Sequence, residues 1–211
     1  GKILPEEILN LPKLAPINIH ASLLPKYRGA SPIQATILNS EKETGISIMK
    51  MVKKMDAGPI YKVKKILINE EWTAGNLHQK IADIAAEFVP DALFSLNVDS
   101  NFIVQDANLA TFTKKISKHD GYLDFQKTSS EIFSIFKAYS PWPGVWTTYN
   151  KNRLKMIDIS ISNEPIEAGL VKCQNSSIRI GTLDGSINVN LLQLESKNIL
   201  SAKDFIAGHK M

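Results

Sequence analysis

The sequence predicts an α/β unit followed by a smaller, mainly β unit. Segments with strand-like and helix-like patterns alternate through residues 1–98. Residues 99–118 are mostly polar and lack a sustained hydrophobic period, which is typical of a linker between domains. Short β-like segments separated by turn residues fill much of residues 119–211, and this spacing predicts a small barrel.

Alternation and capping residues define the elements of the first unit. Ser31 followed by Pro32 marks a helix start, because serine is a favoured cap and proline fits the first helical turn. Thr73 begins a longer helix, in which Pro90 is a position where a kink can form. The apolar stripe of this helix consists of Leu77, Ile81, Ile84, Ala85 and Phe88. Strands are expected at residues 16–21, 44–51 and 60–68.

Capping patterns mark two helices in the second unit. Thr128 and Glu131 form a capping box for a helix that ends near Ala138. Ser201 and Asp204 give a similar start to a closing helix. Short strands, one of them inside the linker, are expected at residues 102–105, 145–149, 154–161, 170–173, 177–181 and 187–194.

Composition excludes several classes of protein. At 211 residues the chain allows one large or two small domains. It has no apolar run of the roughly 18 residues that a membrane span needs, so we expect no membrane partner. The single Cys173 rules out an internal disulfide and a cysteine metal cluster, and the four histidines are dispersed. We therefore expect no metal, and a cytoplasmic location.

Basic residues are concentrated in the second half of the chain. The first 110 residues carry 12 Lys/Arg and 12 Asp/Glu, so the whole net charge of +4 belongs to the remainder. A basic second unit suits a phosphate-backbone partner. The alternative is that these lysines serve only solubility.

Three polar residues suggest catalysis at a carbonyl group. Asn18 and His20 alternate in a short apolar run, so in a strand they lie on the same face. Asp56 lies in a turn further along the chain. A carbonyl polariser, an imidazole and an orienting carboxylate suit nucleophilic attack on an activated carbonyl. Taken singly, each residue is more often a turn former, a satisfied core group or a solvated charge.

Residues 18–29, NIHASLLPKYRG, resemble the N-x-H-x-S-L-L-P-x-x-R-G signature of the folate-dependent formyltransferases. Further segments resemble the branch of that family that formylates methionyl-tRNA, namely residues 1–5, 30–34, 114–124, 138–144 and 201–205. The resemblance implies a partial doubly wound, Rossmann-like formyltransferase domain followed by an OB-like β-barrel. It also implies transfer of a formyl group from 10-formyltetrahydrofolate to the amino group of initiator methionyl-tRNA, for translation initiation.

The same resemblance assigns roles to individual residues. Asn18 would hydrogen-bond the formyl oxygen, His20 would stabilise the developing oxyanion, and Asp56 would orient the imidazole and relay protons through water. The residues expected to bind folate are Ile3, Leu4, Val52, Lys53 and Met55. The residues expected to contact tRNA are Lys114, Lys115, Lys151, Arg153 and Arg179. For any one of these lysines and arginines, a merely solvated charge is the alternative.

Members of this family begin with an N-terminal half-domain that the present sequence does not contain. We interpret the chain as the C-terminal two-thirds of such a protein. The alternative is a short natural protein whose Gly1 was left by proteolytic processing or by removal of an expression tag. Alone, it should have little activity and expose an apolar edge near residues 17–19, which favours non-native association. For the full-length protein we expect a monomer.

Two rival functions remain open on the sequence. An amino-sugar N-formyltransferase would share the catalytic run but would not need a basic second unit. A non-catalytic tRNA-binding module would bind tRNA through the second unit, and its first unit would have lost the catalytic function. The intact set of Asn18, His20 and Asp56 argues against the second rival.

Overall fold

The computed structural model describes residues 4–174 and 176–209. The chain forms two compact units, Gly1–Ile116 and Ser117–Met211. In the described ranges, every helix is too short or too polar to cross a lipid bilayer. Each unit combines helices with an antiparallel sheet, so the predicted mixed α/β composition is confirmed.

The first unit contains the strands and helices that the sequence predicts, and three further short elements at residues 6–9, 28–29 and 112–113. Its elements are α1 (Glu6–Leu9), β1 (Ile17–His20), β2 (Arg28–Gly29), α2 (Pro32–Leu38), β3 (Glu43–Lys50), β4 (Ile60–Leu67), α3 (Ala74–Phe94) and β5 (Phe112–Thr113). Thr73 and Asn76 form a capping box at the start of α3, which continues through Pro90. Ser31 precedes α2 as predicted, but its hydroxyl donates to the Lys114 carbonyl at 2.9 Å and does not cap the helix.

The sheet of the first unit differs from a doubly wound parallel sheet. Its order is β1-β3-β4, and both pairs are antiparallel. The β3–β4 connection, residues 51–59, is shorter than the dozen or so residues that a parallel crossover requires, so the chain folds back on itself as a hairpin. In the sheet formed by β1, β3 and β4, the expected parallel arrangement is therefore replaced by an antiparallel one.

Strand β3 is the centre of the first core. Ile46, Ile48 and Met49 are buried in it, and Leu77 of α3 is fully buried as well. Within the described residues β1 is an edge strand, and Ile19 is 47% exposed on it. Ile19 is therefore an apolar side chain exposed at the edge of this sheet.

The segment expected to link the domains packs along the first unit. Strand β5 pairs in parallel with β2. The expected strand at residues 102–105 is reduced to a single antiparallel bridge between Ile60 and Ile103. Side-chain hydrogen bonds from this segment replace a regular ladder, which is why the sequence has no strand periodicity there.

The second unit consists of a larger antiparallel sheet with two helices. Its elements are α4 (Ser129–Tyr139), β6 (Val145–Tyr149), β7 (Asn152–Ser162), β8 (Val171–Gln174), β9 (Ser177–Gly181), β10 (Ser186–Leu194), β11 (Ile199–Ser201) and α5 (Ala202–Gly208). The strand order is β6-β7-β10-β9-β8, and β11 also pairs with β10. The predicted capping residues Thr128 and Ser201 begin α4 and α5.

This sheet is open in the part of the chain that the structure describes, so the expected OB-like barrel is not seen. Strands β6 and β8 are the two ends of the sheet. The outer edge of β6 is already engaged, because Tyr122 bridges to Trp146 and the Leu123 amide donates to the Trp146 carbonyl at 2.9 Å. A strand edge occupied in this way cannot pair with β8, so the ring does not close.

Candidate active site

Strand β1 carries two of the predicted catalytic residues. Asn18 and His20 are two residues apart and thus project to the same face of the strand. Asn18 is half-buried, whereas His20 is only 6% exposed. The strand is held by β3, where Ser47 is the partner of His20.

Both ring nitrogens of His20 face oxygen atoms of the protein. Nε2 lies 2.9 Å from the backbone carbonyl of Tyr27. Nδ1 lies 3.7 Å from Oδ2 of Asp56. A carbonyl oxygen only accepts hydrogen bonds, so Nε2 carries a hydrogen and Nδ1 is the nitrogen turned toward the carboxylate. The structure therefore brings His20 and Asp56 together, as the sequence predicts.

Asp56 is held in place by the segment that follows β1. Its backbone is left-handed, with φ of 49°, a conformation that aspartate adopts more readily than most residues. Its Oδ2 accepts a hydrogen bond of 2.7 Å from the Gly29 amide. The same carboxylate oxygen thus receives a backbone hydrogen bond and faces the imidazole.

Two glycines permit this close approach of loops. A Cβ atom at Gly58 would lie 1.7 Å from the Lys50 carbonyl, so a side chain at this position displaces the loop that carries Asp56. Gly29 has φ of +112°, and a Cβ atom there would lie 2.4 Å from the Thr113 carbonyl.

The loop after β1 is fastened to β3 by buried hydroxyl groups. Ser22 Oγ donates to the Lys26 carbonyl at 2.6 Å. Ser47 Oγ donates to the Ser22 carbonyl at 2.7 Å and accepts from the Leu24 amide at 3.1 Å. These bonds make a rigid loop of the segment that positions His20.

Tyr27 connects this loop to an acidic residue. Its backbone is left-handed, with φ of 60°, and its hydroxyl donates to Glu41 Oε1 at 2.6 Å. Burial and the hydrogen bond to Glu41 raise the pKa of Tyr27 above its ordinary value. The hydrogen bonds from Tyr27 and Lys26 lower the pKa of Glu41. Tyr27 is thus anchored at its hydroxyl while its carbonyl faces His20.

Residues 105–113 support the loop from the other side. Thr111 Oγ1 accepts from the Tyr27 amide at 2.8 Å, and Thr113 Oγ1 accepts from the Ser31 amide at 3.0 Å. Arg28, which is 2% exposed, donates to Gln105. The sequence offered no signal for these contacts, because the supporting residues lie in an aperiodic polar segment.

Asn18 and Asp56 line one cleft of about 690 Å³ in the first unit. The lining residues are Leu4, Leu9, Asn18, Ala30, Met49, Met51, Val52, Lys53, Met55, Asp56 and Lys115. A mainly apolar wall with few polar groups is typical of a small-molecule site. Four residues predicted to bind folate, Leu4, Val52, Lys53 and Met55, are among them; Ile3 lies outside the described residues.

The residues predicted to contact tRNA occupy different environments. Lys115 lines the cleft, and Lys114 directly follows β5. In the second unit, Lys151 is exposed in the β6–β7 turn, and the Arg153 guanidinium lies 4.2 Å from the centre of the Trp146 ring. Arg179 forms an ion pair with Glu164 and donates to Asn188 at 3.1 Å.

Metal ligation has no support in the described ranges. Groups of three or more His, Cys, Asp or Glu side chains able to hold an ion are absent there.

Comparison with known proteins gives consistent matches along the whole chain. A formyl transferase family model matches residues 1–93, and a model of the formyl transferase C-terminal domain matches residues 115–210. A relative from Thermodesulfovibrio yellowstonii, named methionyl-tRNA formyltransferase, is 35% identical over 100% of this chain and 68% of its own length. A Staphylococcus aureus relative of the same name is 37% identical over 99% of this chain and 68% of its own length.

A solved structure shares the fold at lower identity. The Helicobacter canadensis N-formyltransferase, in complex with folinic acid and dTDP-3-aminofucose, aligns with a TM-score of 0.67 and 24% identity. The alignment covers 89% of this chain and 70% of that one. At this identity, the likeness is one of fold alone.

Proposed function

The chain belongs to the formyl transferase family, among the methionyl-tRNA formyltransferases, and on this premise we propose that it formylates initiator methionyl-tRNA. The formyl donor is 10-formyltetrahydrofolate, and the acceptor is the α-amino group of the esterified methionine. The products are formylmethionyl-tRNA and tetrahydrofolate. Because the acceptor is a charged tRNA used in translation initiation, we place the reaction in the cytoplasm.

The reaction makes two demands on the protein. The amine nitrogen forms a bond to the formyl carbon, and negative charge develops on the formyl oxygen. The bond between that carbon and N10 of the folate then breaks, while the proton lost by the amine is returned to N10. The site must therefore stabilise an oxyanion and conduct one proton.

The contact between His20 and Asp56 is the observation that carries the proposal. The imidazole, held by the Tyr27 carbonyl through Nε2–H and turned toward Asp56 through Nδ1, would stabilise the oxyanion. The Asp56 carboxylate orients the ring and, through water, can accept the amine proton. The Asn18 amide, on the same strand face as His20, is the second donor to the formyl oxygen.

The wall of the cleft suits the folate. Leu4, Val52 and Met55 supply apolar surface, and Lys53 supplies a positive charge for the glutamate carboxylates. These assignments for the described residues are supported by their common location around Asp56. Ile3 remains part of the proposal on the basis of sequence only.

For the tRNA we propose two contact regions. Lys115, in the cleft, and the neighbouring Lys114 would approach the acceptor end. The second unit would bind the phosphate backbone through Lys151 and Arg153, since the net positive charge of the chain is concentrated there.

Formylation of an amino sugar is the rival activity, because the solved relative with dTDP-3-aminofucose shares the fold. The relatives with higher identity, at 35% and 37%, carry the tRNA enzyme's name and favour the tRNA acceptor.

The proposal can be tested by offering the chain both acceptors. Radiolabelled 10-formyltetrahydrofolate is mixed with charged initiator tRNA in one reaction and with dTDP-3-aminofucose in another. We expect a low level of label, on the tRNA only, in line with the little activity expected of this chain, and loss of that label in His20→Ala. Labelling of the sugar, or equal labelling of tRNA by the His20→Ala variant, would contradict the proposal.

A further inference from the structure

We propose that Gln105 is a positioning residue for Asp56, and that its side-chain amide sets the distance between the Asp56 carboxylate and His20. The inference rests on the proposed function of the site. Gln105 lies in the polar segment that the sequence predicts to be a linker, and it does not line the catalytic cleft.

The amide of Gln105 joins two loops through four hydrogen bonds. Its Oε1 accepts from Nε and Nη2 of Arg28, at 3.0 and 2.7 Å. Its Nε2 donates to the backbone carbonyls of Asp56 and Gly58, at 2.9 and 2.6 Å. Each donor hydrogen and each acceptor lone pair of the amide therefore has a partner.

Only one orientation of this amide satisfies its neighbours. The Arg28 guanidinium offers only donors, and the two carbonyls offer only acceptors. Exchanging Oε1 and Nε2 would therefore place donors against donors at Arg28 and acceptors against acceptors at the carbonyls. Gln105 is 8% exposed and Arg28 is 2% exposed, so these groups have little access to replacement partners in water. The environment thus selects glutamine over residues of similar size.

The four hydrogen bonds of the Gln105 amide, here called the Gln105 clamp, fix the backbone of Asp56. Asp56 is anchored twice: Gln105 binds its backbone carbonyl, and the Gly29 amide binds its carboxylate. Gly29 directly follows Arg28, the residue that Gln105 holds on its other side. The two anchors therefore lock the turn containing Asp56 onto the loop after β1, which also carries the carbonyl that faces His20 Nε2.

Loss of the clamp should change the position of the Asp56 carboxylate more than it changes the cleft. Misplacement of a catalytic group by about 1 Å can cost on the order of 100-fold in rate. We therefore expect Gln105→Leu to lower kcat by roughly 10- to 100-fold with a change in KM of less than about threefold. Leu77→Ala, in the core on α3, is the control for a loss of stability that leaves the site's hydrogen bonds in place.

A double-mutant cycle separates positioning from stability. If Gln105 acts through Asp56, Gln105→Leu should have less than about a twofold effect on kcat in an Asp56→Asn background. Independent, multiplicative losses in the double variant would overturn the proposal. So would a kcat loss in Leu77→Ala equal to that in Gln105→Leu when both are measured below their unfolding temperatures.

A spectroscopic readout keeps the test separate from turnover. The ring ¹⁵N chemical shifts of His20, measured by NMR, should move in Asp56→Asn and in the same direction in Gln105→Leu. Unchanged His20 shifts in either variant would overturn the positioning role even if formyl transfer fails for another reason. Gln105→Glu serves as a second variant of similar volume: it keeps the acceptor for Arg28 but turns an anion toward two carbonyls, so the same shift change is expected.

Discussion

Nδ1 of His20 and Oδ2 of Asp56 lie 3.7 Å apart, although 35 residues separate them in the chain. The imidazole is fixed on its other side by the Tyr27 carbonyl, and the carboxylate by the Gly29 amide. Each partner of the pair is thus held independently, which is the condition for a site whose geometry exists before the substrate arrives.

Removing the charge of Asp56 should impair formyl transfer. In Asp56→Asn the remaining side-chain oxygen can still accept from the Gly29 amide, so the fold is retained while the charge that faces the imidazole is lost. We expect kcat to fall by about 100-fold. Asp83→Asn, an exposed residue of α3, is the matched control and should keep full activity. Equal kcat values for the two variants would contradict the role of Asp56.

Tyr27→Phe should destabilise the protein in a manner that depends on pH. The variant loses the hydrogen bond to Glu41, which should cost about 1–2 kcal/mol of unfolding free energy near neutral pH. Because burial and the hydrogen bond to Glu41 raise the pKa of Tyr27, its contribution is present below about pH 10 and lost as pH rises beyond the tyrosine value of the unfolded chain.

Urea unfolding from about pH 7 to 12 measures this effect as the difference between wild type and Tyr27→Phe. The difference should shrink at alkaline pH. Tyr61→Phe is the control, because a hydrogen bond with Ser95 lowers the pKa of Tyr61, so its contribution has the opposite pH trend. A wild-type advantage over Tyr27→Phe that grows with pH would refute the assignment.

Gly58→Ala should damage the site through backbone displacement. The new Cβ atom would meet the Lys50 carbonyl at 1.7 Å, and the loop carrying Asp56 must shift to relieve that contact. We expect loss of most activity together with a lowered Tm. At Gly208, the last residue of α5, a Cβ atom meets nothing within 4 Å, so Gly208→Ala should be neutral in both measurements. Normal kcat in Gly58→Ala would show that the loop position is unimportant.

Basic residues of the second unit should differ in their effect on tRNA binding. Replacing Lys151 or Arg153 by alanine should weaken tRNA binding. Each replacement should also reduce the slope of log K against log salt concentration by the amount expected for about one phosphate contact. Arg179→Ala should have a smaller effect, because Glu164 already pairs with Arg179. Filter-binding affinities at several salt concentrations test this ranking. A larger loss for Arg179→Ala than for Arg153→Ala would reverse it.

Local patterns in the sequence predicted most of the elements and part of the site. Helix caps depend on residues within one helical turn, so they can be recognised in the sequence without knowledge of tertiary contacts. Examples are the capping box of Thr128 and Glu131 and the cap at Ser201. Likewise, the alternation of Asn18 and His20 follows from strand geometry alone. Ser31 shows the limit of this reasoning: its hydroxyl binds the Lys114 carbonyl, a partner 83 residues away, in place of the expected cap.

The sequence by itself determined the longer helices and strands and which chemical groups the site contains, because those properties arise from neighbours along the chain. Only the tertiary structure decided that β1, β3 and β4 pair antiparallel, that the second sheet is open in the described residues, and that Gln105 binds the turn of Asp56. These outcomes depend on which backbone edges and buried polar groups find partners between segments distant in sequence. A hydrogen bond between residues 49 positions apart leaves no periodic trace in either segment.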